Sequence, residues 1–216
     1  MNDLSLKLLK IAKLIITTNS DDSVRSNILK LTHPYSIADG EGKEVDAYAG
    51  EIAVAMNGGI VHAYKGSVAH AFDGGIIDTQ DGGKAFAHKD GIVHVYDGGR
   101  ATANNGGVVH AHNEGKAIAL KGGEAHAHNG GFAHAHEGGK ALAYDGGISY
   151  AHKDGVAYSR EGGIANAHKG GLAHAYEGGL AHAHEGGEAI AHEGGIVRQH
   201  FGGKATDNGG KIDKSK

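Results

Sequence analysis

An eight-residue unit built on a glycine pair repeats through most of this 216-residue chain and decides which folds are open to it. The segment from Gly122 to Glu137 contains two copies, GGEAHAHN and GGFAHAHE. From Gly42 to Gly209 the unit recurs in unbroken succession, without insertion or deletion. A short fixed period of this kind is typical of repeat architectures, in which each unit packs on its neighbours.

Within the unit, the glycine pair occupies positions 1 and 2, and alanine recurs at positions 4 and 6. Glycine at one or both of these positions in every octapeptide excludes a helix. The alternation over positions 3 to 7 instead predicts a short strand with alanine on one face. Position 2 is glycine in every unit from Gly75 onward, whereas position 1 also holds Asp90, Glu114 and Asp154. We therefore expect a positive φ at position 2 and not at position 1.

Like residues recur at every second octapeptide rather than at every one, which favours a two-sided solenoid over an antiparallel meander. At position 4 a branched aliphatic column alternates with an alanine column: Val45, Val61, Ile77, Val93 and Val109 against Ala53, Ala69, Ala85, Ala101 and Ala117. The tyrosines at position 7 also share one column: Tyr48, Tyr64, Tyr96, Tyr144 and Tyr176. The sequence thus predicts an all-β, two-sided parallel β-solenoid (β-roll) of octapeptide repeats with a 16-residue coil, in which large inner side chains face small ones.

The flanking segments have a different character. Between Leu4 and Thr17, three lysines spaced three apart lie opposite four aliphatic residues, which predicts a short amphipathic helix. We assign residues 1–41 to an N-terminal helical cap or docking segment, 42–209 to the solenoid and 210–216 to a disordered tail. Membrane contact, the alternative for the helix, is expected only through Leu4 to Thr17.

Composition excludes several classes of function. There is no cysteine, so neither disulfides nor thiolate metal sites are available. A net charge of −4 with mixed signs argues against a nucleic-acid surface. No nucleophile stands beside a base and an orienting group, and the glycine pairs are turn residues rather than nucleotide loops. We predict that the protein is not an enzyme.

In general plan the chain resembles the glycine-rich β-rolls of secreted toxins and the octad-based solenoids of ice-nucleation proteins. Two departures limit what the resemblance implies. Lysine precedes the glycine pair at Lys65, Lys89, Lys121, Lys153 and Lys169, which is incompatible with a calcium ladder of the toxin type. Threonine arrays of the ice-nucleation type are missing, since the repeats hold only Thr79, Thr102 and Thr206. We therefore carry over neither activity nor family.

Histidine is the anomaly of the composition, because 17 of the 18 histidines lie inside the repeat. Alternate residues of a strand share a face, and the next coil lies about 4.8 Å away. We therefore expect His110, His112, His126 and His128 to form a rectangle on one sheet, extended by His94. Imidazole binds zinc, copper and nickel, so this rectangle is the candidate metal site, although no cofactor is required. Two alternatives stay open: a purely structural role and a pH-sensitive contact surface.

One outer face combines an apolar column with a histidine column, each with one member per coil: Phe132, Ile148, Ile164, Leu180 and Ile196, with His136, His152, His168, His184 and His200. A contiguous semi-apolar strip of this kind indicates an interface, and the end strands invite further pairing. We predict a non-enzymatic structural protein, a self-associating rod that forms a homo-oligomer or filament and builds a fibre, appendage or lattice.

The alternative is a surface-exposed binding rod, similar to a bacterial or phage adhesin, whose His and Tyr faces contact metal, glycan or a receptor. For either function we favour an extracellular, cell-surface or virion location over a cytoplasmic one.

Overall fold

The computed structural model describes residues 35–214, so the predicted N-terminal helix lies outside the described residues. Residues 35–214 form 23 strands and no α-helix. In chain order the strands are β1 (Tyr35–Asp39), β2 (Glu44–Ala47), β3 (Ile52–Met56), β4 (Ile60–Ala63), β5 (Val68–Ala71), β6 (Ile76–Thr79), β7 (Lys84–Ala87), β8 (Ile92–Val95), β9 (Arg100–Ala103), β10 (Val108–Ala111), β11 (Lys116–Ala119), β12 (Glu124–Ala127), β13 (Phe132–Ala135), β14 (Lys140–Ala143), β15 (Ile148–Ala151), β16 (Val156–Ser159), β17 (Ile164–Ala167), β18 (Leu172–Ala175), β19 (Leu180–Ala183), β20 (Glu188–His192), β21 (Ile196–Gln199), β22 (Lys204–Asn208) and β23 (Lys211–Asp213).

The strands divide into two parallel sheets by their order in the chain. The odd-numbered strands form the 12-stranded sheet A and the even-numbered strands the 11-stranded sheet B. Each strand pairs with the strand one coil away, as His110 of β10 pairs with His126 of β12. Tyr48 and Tyr64, which follow β2 and β4, stack at 5.2 Å between ring centroids. The predicted two-sided β-solenoid, with two octapeptides per coil, is confirmed.

The core lies between the sheets and consists of the side chains at positions 4 and 6, which are nearly all inaccessible to solvent. Its first half brings the predicted branched column of sheet B, including Val61, Ile77 and Val93, against alanines of sheet A. After Val109 the corresponding residues of sheet B are alanines, so the later coils bury less apolar surface until Val197 of sheet A adds a branched side chain again. Two buried serines also interrupt this later half, and both donate to backbone carbonyls: Ser149 Oγ to Tyr158 O at 3.1 Å and Ser159 Oγ to His174 O at 3.3 Å.

The backbone conformation of the turns differs from the one predicted for the glycine pair. The positive φ occurs at position 1, as in Gly130 with φ 81°, and it persists in the three acidic replacements Asp90, Glu114 and Asp154 at 59°, 68° and 61°. Position 8 also takes a positive φ wherever it holds asparagine or aspartate, as in Asn129 with φ 45°. Two successive positive φ values closed by a hydrogen bond have the signature of a type I′ turn. Lysine at position 8 does not adopt a positive φ, so its turns have only one.

From Gly75 onward position 2 is glycine for a different reason, namely the close approach of the preceding coil. A Cβ atom placed on Gly75 would lie 2.1 Å from the carbonyl oxygen of Ala55. Such a distance is far inside van der Waals contact, and the neighbour is backbone, which has little freedom to move aside. The expectation of a positive φ at position 2 was therefore wrong, because glycine serves there to let the turn pass close to a strand of the coil before it.

The solenoid also extends past both predicted boundaries. β1 (Tyr35–Asp39) falls inside the segment 1–41 and pairs with β3. β23 (Lys211–Asp213) falls inside the tail 210–216 that we expected to be disordered, and it pairs with β21. The last coil places Lys211 opposite Ile196, one residue short of the usual spacing, because its glycine pair is Gly209–Gly210. Because this one-residue shift interrupts the octapeptide period, the sequence pattern did not predict the strand.

Within residues 35–214 no helical segment reaches the length and hydropathy of a membrane span.

Candidate metal-binding surface

The outer face of sheet A carries a ladder of five imidazoles at position 7, one per coil. The rings of His136 and His152 stack at 4.2 Å between centroids, and those of His184 and His200 at 4.7 Å. His168 joins the two ends of the ladder through contacts of 5.5 Å with His152 and 4.9 Å with His184. The predicted histidine column is therefore present, beside an apolar column whose members pair in register from Phe132 to Ile196.

The four histidines of the predicted rectangle lie together on sheet B. His110 and His126 are register partners with centroids 4.8 Å apart, and His112 and His128 are 5.1 Å apart. His94 extends the group by stacking on His110 at 5.2 Å. Donor atoms of His110, His126 and His128 all lie within 4.8 Å of one another, whereas His112 is outside that group. Metal binding by the rectangle stays a prediction, with His112 the weakest candidate ligand.

A recurring diagonal contact joins a histidine at position 5 to one at position 7 of the next coil. Nδ1 of the first ring lies at hydrogen-bond distance from Nε2 of the second in four pairs: His70–His88 at 3.1 Å, His134–His152 at 3.1 Å, His174–His192 at 2.9 Å and His182–His200 at 2.7 Å. One ring must donate and the other accept, so both can be neutral. This pairing was not predicted from the sequence, although all four pairs share a spacing of 18 residues that the sequence contains.

Two of the three diagonal pairs on sheet A, His134–His152 and His182–His200, belong to histidine triads with the same arrangement, whereas His70–His88 belongs to neither. The first triad is His134, His136 and His152, and the second triad is His182, His184 and His200. Within each triad one donor atom per residue lies within 4.8 Å of the other two. Both contain positions 5 and 7 of one strand together with position 7 of the next coil, and the two triads are three coils apart.

Burial lowers the pKa of several of these imidazoles. Desolvation is the main cause for His110, His134 and His182, whose pKa falls from 6.5 to about 4, and neighbouring imidazoles lower it further. Glu124 partly opposes this lowering at His126, since its carboxylate favours the protonated ring. At pH 7 the rings with a pKa of about 4 are neutral, which is the form that binds a metal ion.

No known protein family matches the chain, and no curated protein does either. Among solved structures, the chain is similar to the crystal structure of a TibC-catalyzed hyper-glycosylated TibA55-350 fragment. The sequences are 19% identical, the alignment covers 87% of this chain and 94% of that one, and the TM-score is 0.34.

Proposed function

We propose that the protein is a non-enzymatic structural rod whose copies associate side by side through the C-terminal half of the outer face of sheet A. The observation that carries the proposal is the apolar column of that face, one half-exposed aliphatic or aromatic side chain per coil: Phe132, Ile148, Ile164, Leu180 and Ile196. A contiguous apolar strip on a soluble surface is typical of a protein–protein interface.

The same column holds cations in the three preceding coils. Lys84, Arg100 and Lys116 are exposed and lie one above another in register, directly before Phe132. Stacked like charges keep that stretch hydrated and disfavour close apposition. The contact is therefore expected to begin at Phe132 and to run toward the C-terminal end.

A second copy of this chain fits the strip because both surfaces have the same period. Each coil advances the column by about 4.8 Å, so a rod aligned on another rod repeats every contact along its length. Such contacts are individually weak, but they add because one rigid body carries all of them. A ligand without this period would match one or two coils only.

The C-terminal end favours lateral over end-to-end assembly. The last strands, β22 and β23, are rich in exposed polar and charged side chains, including Lys204, Asp207 and Lys211. Charged residues on an edge strand are a common device against edge-to-edge pairing. In support of a non-enzymatic role, the space between the sheets in residues 35–214 is filled mostly by small aliphatic side chains.

The test compares two double variants at neutral pH by light scattering and electron microscopy over a range of protein concentrations. Wild type should form large particles as concentration rises. Ile164→Lys with Leu180→Lys places two charges in the strip and should reduce the particles to single rods.

The matched control is Val156→Lys with Leu172→Lys, which makes the same change at position 3 of two adjacent coils on sheet B. This control should assemble like wild type. Equal assembly by both variants, or loss of assembly in both, would remove sheet A as the interface. A wild-type protein that stays small and monodisperse would instead favour a binding rod.

A further inference from the structure

We propose that the two triads of sheet A are equivalent binding sites for a divalent transition-metal ion of the zinc, nickel and copper class. Each site binds the ion through three imidazole nitrogens, donors that suit these borderline metals. The proposal goes beyond self-association, because it requires only the folded rod.

The diagonal pairs already hold two nitrogens close to the separation that one metal ion needs. Nδ1 of His134 lies 3.1 Å from Nε2 of His152, and the corresponding distance from His182 to His200 is 2.7 Å. Two nitrogens bound tetrahedrally to zinc at about 2.0–2.1 Å stand about 3.3 Å apart. An opening of a few tenths of an ångström therefore lets an ion replace the hydrogen that the two rings share.

The third ligand of each triad comes from the imidazole ladder. The ring of His136 stacks on that of His152 with an interplanar angle of 6°, and the ring of His184 on that of His200 with an angle of 3°. Parallel rings point their lone pairs along parallel planes, so the third ring must turn to reach the ion. The terminal torsion of histidine is broad enough for this rotation, and the donor atoms start within 4.8 Å.

The coils between the triads keep the two sites separate. Position 5 is Tyr150 in one of these coils and Asn166 in the other, so neither coil has the position 5 imidazole that a further triad would need. His168 belongs to the ladder but to neither triad. Each triad therefore has the same sequence pattern, an H-x-H motif and a further histidine 16 residues after the second histidine of that motif. The pattern occurs twice on sheet A, three coils apart.

The electrostatic surroundings have one favourable and one opposing element. The first histidine of each triad, His134 or His182, has a pKa of about 4, lowered mainly by burial and then by its diagonal partner. It therefore presents a neutral nitrogen at pH 7 without first losing a proton. Lys116 near His134 and Arg198 near His182 lower the pKa further, and the same cations oppose a bound metal ion. The affinity must therefore come from the three nitrogens together.

The experiment titrates Cu²⁺ and, separately, Zn²⁺ into the purified full chain by calorimetry at pH 7.5, at a protein concentration where light scattering shows single rods, with electron paramagnetic resonance to detect nitrogen ligands to Cu²⁺. The test variant is His134→Tyr with His182→Asn, which copies the residues that fill the same register position in the intervening coils. The matched control is His168→Asn, which copies Asn104 at position 7 of the same sheet.

Wild type should bind about three ions per chain, two on sheet A and one at the group on sheet B. The test variant should bind only the sheet B ion, because losing a direct ligand weakens each sheet A site by more than the roughly tenfold effect of losing an outer partner. The control should keep all three, and circular dichroism should be the same for all proteins. Equal stoichiometry in wild type and test variant would overturn the proposal, as would an equal loss in the control.

Discussion

A methyl group on Gly131 would lie 2.2 Å from the carbonyl oxygen of Ala111, which ends the strand paired with β12 in the preceding coil. Its neighbour Gly130 has nothing within 4 Å of the same hypothetical atom, although its φ is 81°. The two glycines of one pair are thus retained for different reasons: the second for a close approach of backbone, the first for a left-handed turn.

Alanine substitution should separate these two requirements. Gly130→Ala should cost about 1–2 kcal/mol, the strain of a left-handed alanine. Gly131→Ala must displace backbone and should cost more, about 3 kcal/mol or above. Urea unfolding of both variants measures the difference, and a smaller loss for Gly131→Ala than for Gly130→Ala would contradict it.

Thr79 offers a way to stabilise the rod. Its hydroxyl oxygen is buried and has no hydrogen-bond partner among the described residues, while Val95 occupies the same column in the next coil. A buried unsatisfied polar group costs about 1–3 kcal/mol, so Thr79→Val should raise the free energy of unfolding by roughly that amount. Thr102→Val, on the half-exposed outer face, is the control and should change stability by less than about 0.5 kcal/mol. Equal effects of the two substitutions would mean that burial of the hydroxyl is not the cause.

His70 should make the rod sensitive to acid. Its ring is almost fully buried between Phe72, Phe86 and His88, and burial lowers its pKa to about 4, with a further contribution from His88. The unfolded chain takes up this proton near pH 6.5 and the folded chain only near pH 4. With respect to His70, the free energy of unfolding therefore keeps its full value above pH 6.5. It falls as the pH drops from 6.5 to 4 and stays at the reduced value below pH 4.

The shift of His70 corresponds to a loss on the order of 3 kcal/mol. His70→Phe copies Phe86, its register partner in the next coil, and removes the titration. We expect the variant to lose less stability than wild type between pH 7.5 and 4.5, measured as the change in urea midpoint. Equal losses in the two proteins would assign the acid sensitivity to other histidines.

The predicted metal rectangle on sheet B can be tested ligand by ligand. Because the donor atoms of His110, His126 and His128 converge and that of His112 does not, His126→Ala should weaken Zn²⁺ binding at this face far more than His112→Ala. Calorimetry in the background of His134→Tyr with His182→Asn isolates the sheet B site. Equal weakening by both alanine variants would instead support the predicted site with all four histidines as ligands.

Much of the fold could be predicted from the sequence because the side-chain period leaves few choices. The valines and alanines at position 4 fix both the coil length and the inner face, since only a coil of two octapeptides places Val93 beside Val109. The role of Gly131 could not be predicted, because a strained turn and a close backbone contact both demand glycine.

The diagonal bond from His134 to His152 escaped prediction for a related reason. Which neighbour a side chain meets depends on how it leans along the strand, and strand order alone does not specify that direction. β23 was not predicted because the glycine pair Gly209–Gly210 comes one residue too early for the octapeptide period.

The pairing of octapeptides into coils also determines how such a molecule can change in length. Duplication or loss of one whole coil would move the rod's end by about 4.8 Å and return every later side chain to its own face. Loss of a single octapeptide after Gly130 would instead transfer all later strands to the opposite sheet, exchanging the imidazole ladder with the tyrosine column. Insertions and deletions therefore keep Phe132 and the residues beyond it on their own sheet only when they contain an even number of octapeptides.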